Sequence, residues 1–276
     1  MTTKLDWQSR TGDSWAAEWQ RTDRGFGGLT VQRMGRASER PIRRALDIGC
    51  GAGEMSLSLG RGHANAEIIG IDISANLIEV AQARAAHLSN VSFEVADASD
   101  WDPANYAPDL IVSRHGVMFF EDPVRAFAHL ARIAAPDARL VFSCFRSQEE
   151  NPWAERVEGF LPPGTIVPPD RFSPGPFAFA DQAHVEGILR DAGWIDVSFM
   201  PVDYAYIAGS GPDATEDAID YFQRIGPAAR AAATLPPEEK AHFLARLRRY
   251  VANNNDHGIV ALRASAWIVS ARPGRR

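Results

Sequence analysis

The sequence predicts an α/β protein: a doubly wound, mostly parallel sheet of seven strands with helices on both faces, extended by helical and irregular cap insertions. Three observations predict it. From about residue 43 to 146 short apolar runs of strand length alternate with helical stretches, the pattern of successive βαβ units. The first run ends in an acid and breaks into glycines spaced two apart, ALDIGCGAGEMSLSLG over 45–60, and then continues with helical character. Beyond residue 190 two more strand-like segments bracket a helical stretch and complete the seven.

Taken in order, the first forty residues are helical in parts, and Trp15 and Trp19 sit four apart on one helix face. RALDIG is the first strand and GEMSLSLGRG the first core helix. AEIIGID is the second strand, and SANLIEVAQARAAHL is a helix with Ser74 at its N-cap. VSFEVAD is the third strand; PDLIVSRHG is the fourth, after a loop containing Pro103 and Pro108. DPVRAFAHLARIAA is a helix with Pro123 in its first turn, and ARLVFSCF is the fifth strand. The proline-rich stretch 151–180 reads as irregular chain stiffened by proline. DQAHVEGILRDAGW is a helix, and IDVSFMPVDYAYI a strand rich in aromatics. TEDAIDYFQRIG and PPEEKAHFLARLRRYVANN are two helices of an insertion of about 45 residues, longer than an ordinary connection. The WIVSA end of the last apolar segment is the seventh strand, and ARPGRR a frayed tail.

The chain has 276 residues, enough for one large domain or one domain with a sizeable insertion. A net charge of −6 without a large basic patch argues against nucleic acid as a partner. Two cysteines imply neither a disulfide framework nor a four-ligand zinc site, and no compact His/Asp/Glu cluster with metal-ligand spacing occurs. The start has no signal-peptide core, and no apolar run reaches about 18 residues, so the expectation is a cytoplasmic protein without a membrane span.

Glycines let the backbone turn tightly and approach a ligand, and in an open α/β sheet ligands bind outside the carboxyl ends of the strands. Gly49, Gly51 and Gly53 therefore mark a nucleotide-like cofactor site. A dinucleotide fingerprint would place glycine where Glu54 stands, and a carboxylate there opposes a pyrophosphate. Asp47, just ahead of the loop, suits a cationic ligand such as S-adenosylmethionine, whose ammonium it can serve directly or through water. Asp72, ending the second strand, is placed for the ribose hydroxyls, a feature dinucleotide enzymes share. Asp97, after the third, is placed for the adenine amino group, with the Ala98 amide facing a ring nitrogen. As purely structural alternatives, Asp47 caps a turn and Asp72 joins Ser74 in capping a helix.

On these motifs the chain resembles a class I S-adenosylmethionine-dependent methyltransferase of the ubiquinone/menaquinone-biosynthesis type. The resemblance rests on LDIGCGAG (46–53), IGIDIS (69–74), VADAS (95–99) and the segment 109–146, and extends more loosely to NPW, PGPFAFAD, LRDAGW and AWIVSAR. It implies a Rossmann-like methyltransferase fold. It also implies cofactor contacts from Asp47, Gly49, Gly51, Gly53, Asp72, Ile73, Asp97 and Ala98, with Ser113 near the donor. Where such enzymes usually turn on proline-glycine-glycine, this chain has PDAR (136–139). The implied organisation is an N-terminal helical lid (1–42), a cofactor-binding core (43–146), a proline-rich cap (147–181) and a C-terminal part (182–276) carrying the insertion at about 212–257.

Methyl transfer from a sulfonium needs acceptor, methyl and sulfur in line and water excluded. An oxygen or acidic-carbon acceptor also needs a base. His115, directly after the fourth strand, is the candidate base, where the family often has an apolar aromatic; the bland alternative is an aromatic substitute in the core. Arg114 either binds an acceptor carboxylate or pairs with an acid, and Tyr204 and Tyr206 share a strand face as core or pocket residues. Trp153, Phe160, Phe172, Phe177, Phe179, Phe222 and Phe243 suggest a small, largely apolar or aromatic acceptor. The leading expectation is O- or C-methylation of such a molecule; the alternatives are a protein that binds S-adenosylmethionine without transferring methyl, and a nicotinamide-dependent oxidoreductase.

Overall fold

The computed structural model describes residues 3–102, 106–166 and 170–274. Pro103, residues 167–169 of the proline-rich stretch and the last two residues of the tail lie outside the described residues. Three helices open the chain: α1 (Lys4–Trp7), α2 (Arg10–Ala17) and α3 (Trp19–Ala37). The core then alternates β1 (Arg44–Ile48), α4 (Glu54–Gly62), β2 (Glu67–Asp72), α5 (Ala75–Ala85), β3 (Val91–Val95), β4 (Leu110–Arg114), α6 (Pro123–Ile133) and β5 (Arg139–Phe145). After α7 (Pro152–Glu158) and α8 (Gln182–Asp191) comes a long strand, β6 (Trp194–Ser210). Helices α9 (Ala214–Phe222), α10 (Pro227–Ala233) and α11 (Pro237–Asn253) precede β7 (Asn255–Asp256) and β8 (Ile259–Pro273).

The strand order is β3-β2-β1-β4-β5-β8-β6, with the two-residue β7 pairing onto β8 as an eighth strand. The five core strands run parallel, and β8 is antiparallel to both β5 and β6. This is the doubly wound, mostly parallel sheet expected. The order reverses between β1 and β4, the point at which such sheets open a crevice at their carboxyl ends. Residues 44–48 and 110–114 are almost wholly buried, as strands covered on both faces must be.

Helices α3, α4 and α5 cover one face, where Phe93 packs under Gly53 and Gly70, and Tyr204 and Tyr206 pack under Gly28 and Gly25. On the other face Phe127 of α6 meets Phe142 of β5 at 5.6 Å, and its carbonyl accepts the Trp194 indole N–H at 2.9 Å. Ser74 accepts from the Leu77 amide as the N-cap the sequence predicts, and Pro123 sits in the first turn of α6 as expected; Asp122 and Asp181 add caps of their own, accepting from the Arg125 and His184 amides.

Four local expectations are corrected. Trp15 and Trp19 do not share one helix, because the chain breaks at Glu18, a buried carboxylate paired with Arg21 and Arg224. The stretch 151–180 is not irregular throughout: Pro152 sits in the first turn of α7, where a missing N–H costs nothing, and Trp153, Ala154 and Val157 are buried. The insertion contains α10, which its alanines alone did not reveal. The supposed tail belongs to β8 as far as Pro273, because Ala271 and Arg272 pair with Leu140 and Ile195.

Asn151 fastens the segment after β5 to the sheet. It is fully buried, donates to the carbonyls of Ser147 and Ser265, and accepts from the Ser265 amide and the Trp153 indole. Asn151→Ala leaves those groups buried and unpaired, so urea unfolding should show a loss of roughly 3–5 kcal/mol; a loss under about 1 kcal/mol would mean the segment is held elsewhere.

Candidate functional site

The turn after β1 is built by its glycines. Gly49, Gly51 and Gly53 all have positive φ, 58°, 55° and 84°. A Cβ on Gly49 would lie 3.0 Å from the Gly116 Cα, and one on Gly53 2.7 Å from the Phe93 ring. The loop closes through Gly53 N–H to the Cys50 carbonyl and Cys50 N–H to the Ile71 carbonyl. Asp72 holds it from the neighbouring strand, accepting from the Gly51 amide at 2.9 Å through one oxygen and from the Ser74 amide at 2.9 Å through the other. Burial raises its carboxyl above the usual aspartate value, and the backbone donors pull it back.

Beside this loop lies a crevice of about 1630 Å³, larger than one small ligand needs and able to hold a cofactor and a second substrate together. Of the expected contacts, Gly49, Gly51, Asp72, Ile73, Asp97, Ala98 and His115 line it. Asp47, Gly53 and Ser113 do not. Asp47 is fully buried behind the loop and accepts from the amide and hydroxyl of Ser56 at 3.0 and 2.7 Å, which makes it an anchor for α4. Ser113 donates to the Ile48 carbonyl at 2.7 Å and accepts from the Gly116 amide at 3.2 Å, drawing Gly116 against Gly49. Gly53 begins α4 over Phe93.

Asp97 accepts from the Ser99 amide at 2.8 Å and pairs with the Lys4 ammonium at 2.5 Å. Burial raises its carboxyl, but those two donors outweigh burial and leave it below the ordinary value. The N-terminal segment is thereby tied over the crevice, where Trp7 and Trp15 meet edge-to-face at 5.4 Å.

Beneath the loop a buried ion network crosses from α3 to the sheet. Arg114 pairs with Asp23 at 2.8 Å and with Glu54 at 3.5 Å; Arg33 reaches Glu54 at 3.2 Å. Arg84 binds Asp23 at 2.7 Å and donates to the Ala52 carbonyl of the loop at 2.6 Å. Glu54 is thus neutralised by two guanidinium groups, and its carboxyl falls below the ordinary value despite burial. This corrects its reading as a free charge opposing a pyrophosphate, and Arg114 is engaged with acids of its own chain. No motif announced Asp23, Arg33 or Lys4; they lie far from the glycine loop in sequence.

His115 holds φ of 61° while its amide donates to the Ser143 carbonyl at 3.1 Å. Its ring stacks on Phe145 at 4.2 Å and meets Phe26 at 5.1 Å. Both ring nitrogens are buried with no protein partner. Burial, with Arg33 and Arg114 nearby, pushes its pKa well below the ordinary histidine value, so the ring is neutral. Asp47 Oδ1, Ser143 Oγ, Tyr204 Oη and two Arg33 nitrogens are likewise unpartnered. The strand register places Asp47, Arg114, Ser143 and Tyr204 on the face that α3 covers. Tyr206 lines the crevice and shares a 2.6 Å hydrogen bond with Tyr221. Among the apolar residues expected at the acceptor, Trp153 and Phe177 line the crevice; Phe160, Phe172, Phe179, Phe222 and Phe243 do not. Phe179, Phe222 and Phe243 are core, and Phe172 stacks on His184 at 3.7 Å.

The arrangement fits an adenosyl cofactor. The loop brings bare backbone to the crevice, and each Asp72 oxygen keeps acceptor capacity beyond its one amide. Comparison with known proteins points the same way. A family model described as a methyltransferase domain matches residues 41–167. Trans-aconitate 2-methyltransferase of Methylobacterium radiotolerans is 35% identical over 36% of either chain. Phosphoethanolamine N-methyltransferase 1 of Arabidopsis thaliana is 28% identical over 62% of this chain and 33% of its own. The match thus spans only about a third of these curated relatives. Phosphoethanolamine N-methyltransferase 2 of Haemonchus contortus, solved with S-adenosyl-L-methionine, shares the fold: the TM-score is 0.59 at 15% identity, over 99% of this chain and 60% of that one.

Burial lifts the Asp47 carboxyl from 3.8 to about 6, against the Ser56 hydrogen bond and the Arg33 charge. A carboxyl raised on folding stabilises the fold below its unfolded value and loses that contribution as pH rises through its folded value. Relative to Asp47→Asn, the wild type should therefore lose about 2 kcal/mol of stability between pH 4 and pH 7. Denaturant midpoints of both proteins across that range check this, and parallel curves would show that Asp47 titrates normally.

Proposed function

We propose, from a methyltransferase domain over residues 41–167 whose cofactor is S-adenosylmethionine, that this protein transfers a methyl group to a small, largely apolar or aromatic acceptor. The observation that carries the reading is the glycine loop held open by Asp72 at the floor of a crevice with room for two molecules. The resemblance to the ubiquinone/menaquinone-biosynthesis type rests on motifs that face the cofactor, so it supports the donor and leaves the acceptor to the rest of the crevice.

The cofactor, when bound, supplies a methyl group on a sulfonium. Gly49 and Gly51 give backbone at its amino-acid end, Asp72 accepts from the ribose hydroxyls with Ile73 beside it, and Asp97 and Ala98 mark the adenine end. Asp47, Gly53 and Ser113 act at one remove, by setting the loop. The acceptor enters on the β4 and β5 side, against His115. A neutral imidazole with a free nitrogen can take a proton, and a weakly basic one suffices, because an oxygen acquiring a methyl group becomes strongly acidic. Helices before residue 42 serve as a lid, and the segments 147–181 and 212–257 as walls; together they exclude water. Oxygen and carbon acceptors are the ones for which such a base is required.

Calorimetry with S-adenosylhomocysteine, with NADH in parallel, tests the donor. Micromolar binding of the homocysteine product, weakened at least about tenfold in Asp72→Ala, is expected; binding of NADH alone would overturn the reading. For the base, His115→Asn keeps a residue tolerant of positive φ. It should lower kcat by roughly 10²-fold or more while S-adenosylhomocysteine binding is retained. The wild-type rate should show no histidine limb between pH 6 and 8. A loss under about fivefold would make His115 a packing residue.

A further inference from the structure

The crevice has two halves, because the strand order sets β1, β2 and β3 to one side of the switch point and β4 and β5 to the other. The glycine loop, Asp72 and Asp97 belong to the first half. The second is bounded by His115, Phe145 and the chain that leaves β5, with Gln148, Trp153 and Glu158. We propose that this second half selects an acceptor carrying a basic amine beside an aromatic or apolar ring, and that Glu158 is the residue that receives the ammonium. The proposal rests on the methyltransferase reading and names the substrate class for the same site.

Glu158 is the last residue of α7, half-buried at the crevice wall. One of its oxygens accepts from the Gln148 side-chain amide at 2.6 Å. Among the described residues no guanidinium or ammonium lies within ion-pair distance of it. Other ionic groups at this end are matched within the chain: Arg114 with Asp23 and Glu54, Arg224 with Glu18, Arg171 with Asp181. Burial raises the Glu158 carboxyl above the ordinary glutamate value, as expected of an acid short of a cation. A carboxylate with one neutral hydrogen bond keeps acceptor sites for an N–H donor.

The same crevice has aromatic walls. Trp153 stacks on Tyr206 at 4.8 Å, lies 5.2 Å from Phe145, and Phe145 lies 5.8 Å from Phe177. Ring faces attract ammonium groups and accept flat apolar bodies, so a crevice whose wall carries both the Glu158 carboxylate and these rings matches an aromatic amine on both counts. An acceptor whose free end is a carboxylate or phosphate would instead meet a like charge. Glu158 is a specificity residue in this scheme; the reacting atoms lie with His115.

The test uses the intact protein saturated with S-adenosylhomocysteine, and compares calorimetric binding of phenethylamine with that of hydrocinnamate, its carboxylate counterpart. On the wild type the amine should bind at least about tenfold more tightly, and Glu158→Gln should remove most of that preference. Equal binding of the two probes, an amine preference that survives in Glu158→Gln, or no amine binding at millimolar concentration would overturn the proposal. S-adenosylhomocysteine binding by Glu158→Gln certifies its fold; if that variant is misfolded, the wild-type preference decides alone. A wild type that fails to bind S-adenosylhomocysteine would instead overturn the methyltransferase reading beneath it.

Discussion

The ion network below the glycine loop is the constraint on which the rest of the site depends. Charges taken out of water must find one another, and removing one partner of a buried pair commonly costs about 3–5 kcal/mol. Here the partners come from four elements: Asp23 and Arg33 from α3, Glu54 from the start of α4, Arg84 from α5 and Arg114 from β4. Closing this set fixes how α3 crosses the sheet. It also delivers Arg84 to the Ala52 carbonyl, so the loop is held from outside as well as from Asp72 within.

The same network sets the electrostatics of its neighbours. Arg33 and Arg114 help keep His115 neutral, while Asp47 is restrained by those same charges from a larger rise. The crevice wall thus carries a neutral imidazole beside a buried network of guanidinium and carboxylate groups. Packing reinforces it: Phe26, carried on α3, touches His115, Phe145 and Tyr206 at 5.1, 6.0 and 5.4 Å and receives the Arg114 guanidinium over its face. One helix therefore positions charge and aromatic wall together.

The crevice is completed by segments remote from the loop in sequence. Lys4 binds Asp97 from the N-terminal side, and Arg224 from the insertion binds Glu18 at the break between α2 and α3. Asn151 pins the chain after β5 to β8, and a Cβ on Gly226 would lie 3.9 Å from the Trp153 ring. The N-terminal helices, the segment after β5 and the insertion thus meet around one crevice.

Alternating apolar runs, the helix cap at Ser74 and the GCGAG loop by themselves determined the sheet, its winding and the glycine turn at the crevice. Those features are local: propensity, capping and glycine φ act within a few residues, so they are legible one segment at a time. What only the tertiary structure decided is which acids face the crevice and which lie behind it. Asp47 and Asp72 both end strands, yet Asp47 turns to Ser56 inside the fold and Asp72 to the loop. Glu54 looked free and is doubly paired; Glu158 carried no motif and stands at the wall. The physical reason is that a side chain's partner is set by how α3, α7 and the insertion pack across the sheet, over separations in sequence that no local pattern spans.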